Sequence, residues 1–162
     1  MADASIRYYF DANALWKFYR DEKGDLNIRR LVSNSAHPIL ISLLTRLEFV
    51  SVLMKYFRQG HLKRRALNRI VERLIRDTRS GTKTRPFLLV SLPPASFQLA
   101  ESFLLQYADK LDIGSDDCLH LAIVTKLKLN IPTIIMVTSD NSLQKACEKI
   151  DITVYDPETG HI

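Results

Sequence analysis

Pro38-Ile39-Leu40-Ile41-Ser42-Leu43-Leu44 and the Thr45-Arg46-Leu47-Glu48-Phe49 that follows change period part-way, an apolar run of strand length giving way to a helical repeat. Continuous apolar character from Ile39 to Leu44, opened by a proline, marks a strand covered on both faces. Thr45 then starts a helix: Thr45-x-x-Glu48 matches a capping box, and Phe49, Val50, Val52, Leu53 and Tyr56 supply the apolar stripe. A strand buried on both sides needs a helical layer on both sides, so this stretch predicts an α/β architecture with a parallel sheet.

The same unit repeats on either side. Ile6 to Phe10 is β-prone, and beyond Asp11 the residues Leu15, Trp16, Phe18 and Tyr19 recur at helical spacing, which core packing explains better than base stacking. Leu26 to Val32 reads as a short helix. After Gly60 a helix from about Leu62 to Arg79 pairs with the preceding one as a helical hairpin over roughly residues 45–80. Pro86 precedes a strand, Phe87 to Leu92, and Pro93-Pro94 opens a helix through Phe97 and Tyr107. Ser115 is the expected N-cap of a helix from Asp116 to Leu129, Pro132 precedes the strand Thr133 to Val137, and the helix Asn141 to Lys149 leads to a last strand, Ile152 to Tyr155. The expected fold is a three-layer α/β sandwich with a roughly five-stranded parallel sheet and helices on both faces, and residues 1–162 are read as a single domain.

Hydrophobic residues at 46% and charged residues at 25% are the balance of a packed globular protein. The start of the chain has no basic-then-apolar leader and no run reaches membrane-span length, so the expectation is a cytoplasmic protein without a membrane segment. Cys118 and Cys147 lack any ligand-like spacing and are read as reduced, mostly buried thiols. The net charge of +5 favours a polyanionic or acidic partner, and it is unevenly placed. From Lys55 to Arg85 eleven Lys and Arg residues face only Glu72 and Asp77, leaving the rest of the chain net acidic. Within that run Arg65, Arg69, Arg73 and Arg76 follow one another by four, four and three, which lines them along one helix face as RNA-binding candidates; a merely solvated face is the competing reading.

Ligands of open α/β sheets bind beyond the carboxyl ends of the strands; two acids sit there directly, and two more can converge on the same edge. Asp11 ends the first strand, Asp140 follows the strand ending at Val137, Glu48 lies a helical turn after the strand ending near Leu44, and the Asp116-Asp117 doublet begins a helix aimed at the same edge. Each alone reads equally well as a helix cap or first-turn acid. Together they would repel unless a cation sat among them, and hard oxygen ligands suit Mg²⁺ or Mn²⁺, ions that activate water and stabilise charge on a phosphoryl group. Phosphodiester hydrolysis is the reaction class that follows. His120, one turn after Asp117, is more readily a satisfied core residue than a further ligand.

The motifs YYFDANAL, LLTRLEFV, GSDDCLHLAIV and VTSDNSL resemble, in order, the four acidic motifs of PIN-domain nucleases, and most nearly those of VapC-type toxins of toxin–antitoxin systems. The resemblance runs from Arg7 to about Tyr155. It implies a five-stranded parallel sheet, a Mg²⁺- or Mn²⁺-dependent endoribonuclease, and a homodimer restrained by an antitoxin protein. It places the metal-site acids on Asp11, Glu48, Asp117 and Asp140, with Asn13 and Thr138 as polar supports, and it selects Asp117 over Asp116 in a doublet that helix periodicity leaves open. An Asp-nucleophile phosphatase fits less well, because the second acid it needs is replaced by Asn13, and a receiver domain lacks its late-strand lysine. A non-cutting PIN-like module that binds RNA or protein, and a nuclease acting on DNA, are the remaining alternatives.

Overall fold

The computed structural model describes residues 5–79 and 85–161. Strand β1 (Ile6–Phe10) is followed by helices α1 (Ala12–Tyr19) and α2 (Asp25–Asn34), and β2 (Ile39–Ser42) by α3 (Leu43–Arg58) and α4 (Arg64–Thr78). Next come β3 (Phe87–Val90), α5 (Ala95–Tyr107) and α6 (Ser115–Lys128), then β4 (Thr133–Val137), α7 (Asn141–Lys149) and β5 (Thr153–Tyr155). The strands pair in parallel in the order β3-β2-β1-β4-β5, so the expected α/β sheet is the one that forms.

Strand alternation divides the apolar runs between two cores. Tyr9, Leu40, Ile134 and Met136 pack against Ala100 and Phe103 of α5, Leu121 of α6 and Ala146 of α7. Their neighbours Phe10, Ile39, Ile41 and Val137 turn to the other face, against Leu15 and Trp16 of α1, Ile28 of α2, Phe49 and Leu53 of α3 and Leu74 of α4. Both parities are apolar because both faces are covered, which is why the strands read as unbroken hydrophobic runs. From β1 the chain builds outward to β3 on one side, then crosses to β4 and β5 on the other. The strand order therefore switches direction between β1 and β4, which pair in parallel from Ile6 opposite Thr133 to Phe10 opposite Val137. A crevice opens beyond the carboxyl ends of such a pair.

Several boundaries differ from the sequence reading by one or two residues, and three of them are set by a cap or a strand partner. The strand expected to reach Leu44 stops at Ser42, where the Ser42 hydroxyl accepts from the Thr45 amide at 3.1 Å and the Thr45 hydroxyl accepts from the Ser42 amide at 3.2 Å. This reciprocal pair is the capping box; the Thr45–Glu48 box does not form, because the helix starts earlier and carries Glu48 into its second turn. The N-cap of α6 is Gly114, not Ser115, since the Asp117 carboxylate reaches back to the Gly114 amide at 2.9 Å. Strand β3 ends at Val90, not Leu92, level with Ser42 where its partner β2 turns into helix. Ser80, at the expected end of the helical hairpin, and Lys83 of the basic run lie outside the described residues. Among the described residues no helix is long and apolar enough to cross a membrane, and Cys118 and Cys147 are buried free thiols, as expected.

Candidate active site

Asp11 stands at the carboxyl end of the central strand as the N-cap of α1, with Oδ1 accepting from the Ala14 amide at 2.7 Å. Only 5% of its surface is exposed. Burial pushes its pKa up to about 6, the charge of Glu48 adds to the rise, and the Ala14 amide, the Thr138 hydroxyl and His120 oppose it. A carboxylate so placed is short of positive charge, not of hydrogen bonds alone.

Thr138, fully buried just past β4, joins this acid to the next. Its hydroxyl bonds the Asp11 carboxylate and accepts from the Asp140 amide at 3.0 Å. Asp140 is the N-cap of α7, its Oδ1 accepting from the Ser142 and Leu143 amides at 2.8 and 2.9 Å. Asp117 is half-buried in the first turn of α6. Burial raises its pKa, the Gly114 amide lowers it, and the charges of Asp116 and Asp140 raise it further. Capping engages one oxygen each of Asp117 (Oδ2) and Asp140 (Oδ1). The helix-cap reading and the ligand reading are thus compatible in one side chain.

Glu48 is positioned from behind. Its Oε2 lies 2.7 Å from Nε2 of His120, a residue only 2% exposed on α6, and Nδ1 of the same ring lies 2.8 Å from the Tyr9 hydroxyl. Tyr9 donates to Ser42 at 2.9 Å, and the Thr45 hydroxyl donates to the Phe10 carbonyl at 3.1 Å. With the Tyr9 hydrogen spent on Ser42, Nδ1 is the donor in its contact with the Tyr9 oxygen, and Nε2 faces the Glu48 carboxylate. A buried chain therefore runs from the cap of α3 through β1 and α6 to the Glu48 side chain.

The four expected acids thus lie around one edge and sense one another's charge, Asp11 with Glu48 and Asp117 with Asp140. Among the described residues no three His, Cys, Asp or Glu side chains close around a single point as a preformed cage. Thr138 touches Asp11; Asn13 is exposed in the first turn of α1 and makes no such contact among the described residues. Asp116 is exposed beside Asp117. Tyr9, Ser42, Thr45 and the bridging part played by His120 were not expected from sequence, although Ser42 is the single polar break in Ile39–Leu44 and so the one available signal.

The arginine stripe lies elsewhere, against the far end of α1. Arg65 and Arg69 are exposed, Arg73 stacks on Phe18 and Tyr19 at 5.1 Å from each ring, and Arg73 and Arg76 flank Asp77 at 3.4 and 3.7 Å. Trp16 and Tyr19 are buried in the core.

The family model that matches is the PIN domain, over residues 8–149. The chain belongs to the PIN domain family. This PIN domain is similar in structure to the sarcin–ricin-loop-cleaving toxin VapC20 of Mycobacterium tuberculosis, with a TM-score of 0.62 at 14% identity, covering 86% of this chain and 94% of that one. Similar too are FitAcB of Neisseria gonorrhoeae, with a TM-score of 0.63 at 16% identity over 93% of this chain and 97% of that one, and VapBC2 of Rickettsia felis bound to a promoter DNA fragment, with a TM-score of 0.61 at 14% identity over 93% and 98%. At these identities the likeness is one of fold. No curated protein matches the sequence of the domain.

Proposed function

We propose that this PIN domain is a cytoplasmic, Mg²⁺- or Mn²⁺-dependent endoribonuclease, acting as a homodimer and held in check by an antitoxin protein. The observation that carries the reading is Asp11: a carboxylate buried at the strand switch, tied through Thr138 to a second acid and raised by a third. Its surroundings suit a hard cation, because every donor is a carboxylate oxygen and the pairs Asp11–Glu48 and Asp117–Asp140 repel until positive charge offsets them. Asp11, Asp117, Asp140 and Glu48 would hold the ion. When bound, it supplies an activated water and charge stabilisation at the scissile phosphate.

The chain's own residues set the geometry. Thr138 fixes the spacing of Asp11 and Asp140, the amides of α7 orient Asp140, and His120, itself held by Tyr9, keeps Glu48 turned toward the edge. VapC20 is described as cleaving the sarcin–ricin loop, and another solved neighbour is a toxin–antitoxin complex from Klebsiella pneumoniae, which supports RNA as the substrate class and an antitoxin as partner. The deciding experiment incubates pure protein with defined RNA and DNA strands and Mg²⁺ or Mn²⁺, beside a chelator control. Metal-dependent cutting of RNA, lost in Asp11→Asn, is expected. Cutting of DNA alone, or of neither strand, overturns it.

A further inference from the structure

A cleft of about 270 Å³ lies at the end of α1 remote from Asp11, lined by Tyr19, Arg20, Ala66, Arg69, Ile70 and Arg73. Three of these side chains are guanidiniums, and two are held by aromatic rings: Arg20 over Trp16 at 5.8 Å, and Arg73 over Phe18 and Tyr19. Stacking leaves the N–H edges of a guanidinium free to fork onto an anion. Arg73 shares Asp77, whose carboxylate also takes the Tyr19 hydroxyl, while Arg20 and Arg69 form no ion pair among the described residues. The cleft therefore carries positive charge in excess of its own acids.

We propose that this cleft is a phosphate-binding subsite that anchors an RNA strand outside the acidic edge; the choice of RNA rests on the nuclease reading above. Carboxylates repel phosphates, so a polyanionic strand lying over Asp11, Asp117 and Asp140 must draw its affinity from cations elsewhere. Helix α1 links the two places, with Asp11 capping its start and Arg20 its end. At 1.5 Å per residue the helix is ~12 Å long, a distance that a few nucleotides of one strand can span. Three convergent forks also suit successive phosphates better than an isolated carboxylate, which one fork satisfies. The subsite sorts the arginine stripe: Arg69 and Arg73 line it together with Arg20, the C-cap of α1, whereas Arg65 and Arg76 do not.

The test measures binding of a single-stranded RNA oligonucleotide in chelator, where cleavage is suppressed, across a range of salt. Arg20→Ala/Arg69→Ala is compared with Arg58→Ala/Arg64→Ala, which removes the same charge away from the cleft, with thermal melting as the check on folding. The cleft pair is expected to weaken binding at low salt about tenfold or more and to flatten the slope of log affinity against log salt by ~1.4, the control pair by less than half as much. Equal losses in the two pairs overturn the subsite in favour of diffuse charge. Unchanged RNA binding with a cleft-dependent loss of polyglutamate binding overturns it in favour of an acidic protein segment. The readings separate cleanly: cleft-dependent RNA binding without cleavage sinks the nuclease and keeps the subsite, and cleavage with cleft-independent binding does the reverse.

Discussion

Asp11 concentrates the chemistry of the site in one side chain, and its protonation is readable in stability. Its pKa is about 6 in the folded chain, against ~3.9 when unfolded. Below the unfolded value both states hold the proton and no penalty arises; as pH rises toward 6 the folded state keeps a proton that the unfolded state releases, so stability falls, and above 6 the full penalty remains. Two units correspond to roughly 3 kcal/mol. In chelator, Asp11→Asn should match the parent near pH 4 and exceed it by about 2–3 kcal/mol at pH 7 in denaturant titrations, and with Mn²⁺ supplied it should fail to cleave RNA. A constant difference across that range would show that Asp11 is not buried as a strained charge. The doublet gives a second contrast. Asp117 is half-buried and accepts a hydrogen bond from the Gly114 amide, whereas Asp116 is exposed. Asp117→Asn should lose cleavage and most of any Mn²⁺-induced thermal shift, and Asp116→Asn should keep both at a cost of ~0.3–1 kcal/mol; the reverse ranking would move the site by one residue.

Between elements, the chain of hydroxyls under Glu48 couples local capping to the site. Ser42 caps α3 and also receives the Tyr9 hydrogen, so the first turn of that helix, the central strand and His120 of α6 are locked to one another. Tyr9→Phe keeps the ring in its core and deletes the link, leaving Nδ1 of a buried histidine without its partner. The expected cost is ~1–3 kcal/mol, with a fall in kcat larger than any change in KM, because Glu48 loses its orientation while the arginines are untouched. Cleavage at the parent rate in a folded Tyr9→Phe protein would reduce this network to packing. Sequence reading missed it for a definite reason: Tyr9, Ser42, Thr45 and His120 come from elements far apart in the chain, and each is an ordinary core or cap residue until the sheet brings them together.

Across the molecule, charge is segregated, with acids at the carboxyl edge of β1 and β4 and arginines at the opposite end of α1. Relief of repulsion at the acidic edge should be visible as a thermal shift. Mn²⁺ at 100 times its Kd adds ~2.7 kcal/mol, or about 5–10 °C for a domain of this size; a melting temperature indifferent to Mn²⁺ would count against any cation site. The segment around Glu158 is pinned by a separate device. Lys17, 2% exposed in α1, meets Glu22 at 3.0 Å and Glu158 at 2.8 Å, beyond the end of the family match. Because both glutamates are about a third exposed, breaking the triad costs less than a fully buried pair, and Lys17→Ala should lose ~1–3 kcal/mol. Amide exchange near Glu158 should quicken in that variant; unchanged protection would show that the segment is held by other contacts.

The amino-acid sequence by itself determined the alternation of buried strands and helices, the parallel sheet, the burial of both cysteines and the positions of Asp11 and Asp140 just past strands β1 and β4, because hydrophobic period and strand-terminal position are local properties. Tertiary structure alone decided the rest. Ser42 became a cap because β2 and β3 run out of partners at the same level, Thr138 became the bridge between two acids because β4 lies beside β1, and His120 turned to Glu48 because α6 packs under α3. The arginine stripe was legible as a stripe, but its place at the far end of α1 depended on stacking against Phe18 and Tyr19. Such contacts join residues remote in the chain, and no periodicity encodes them.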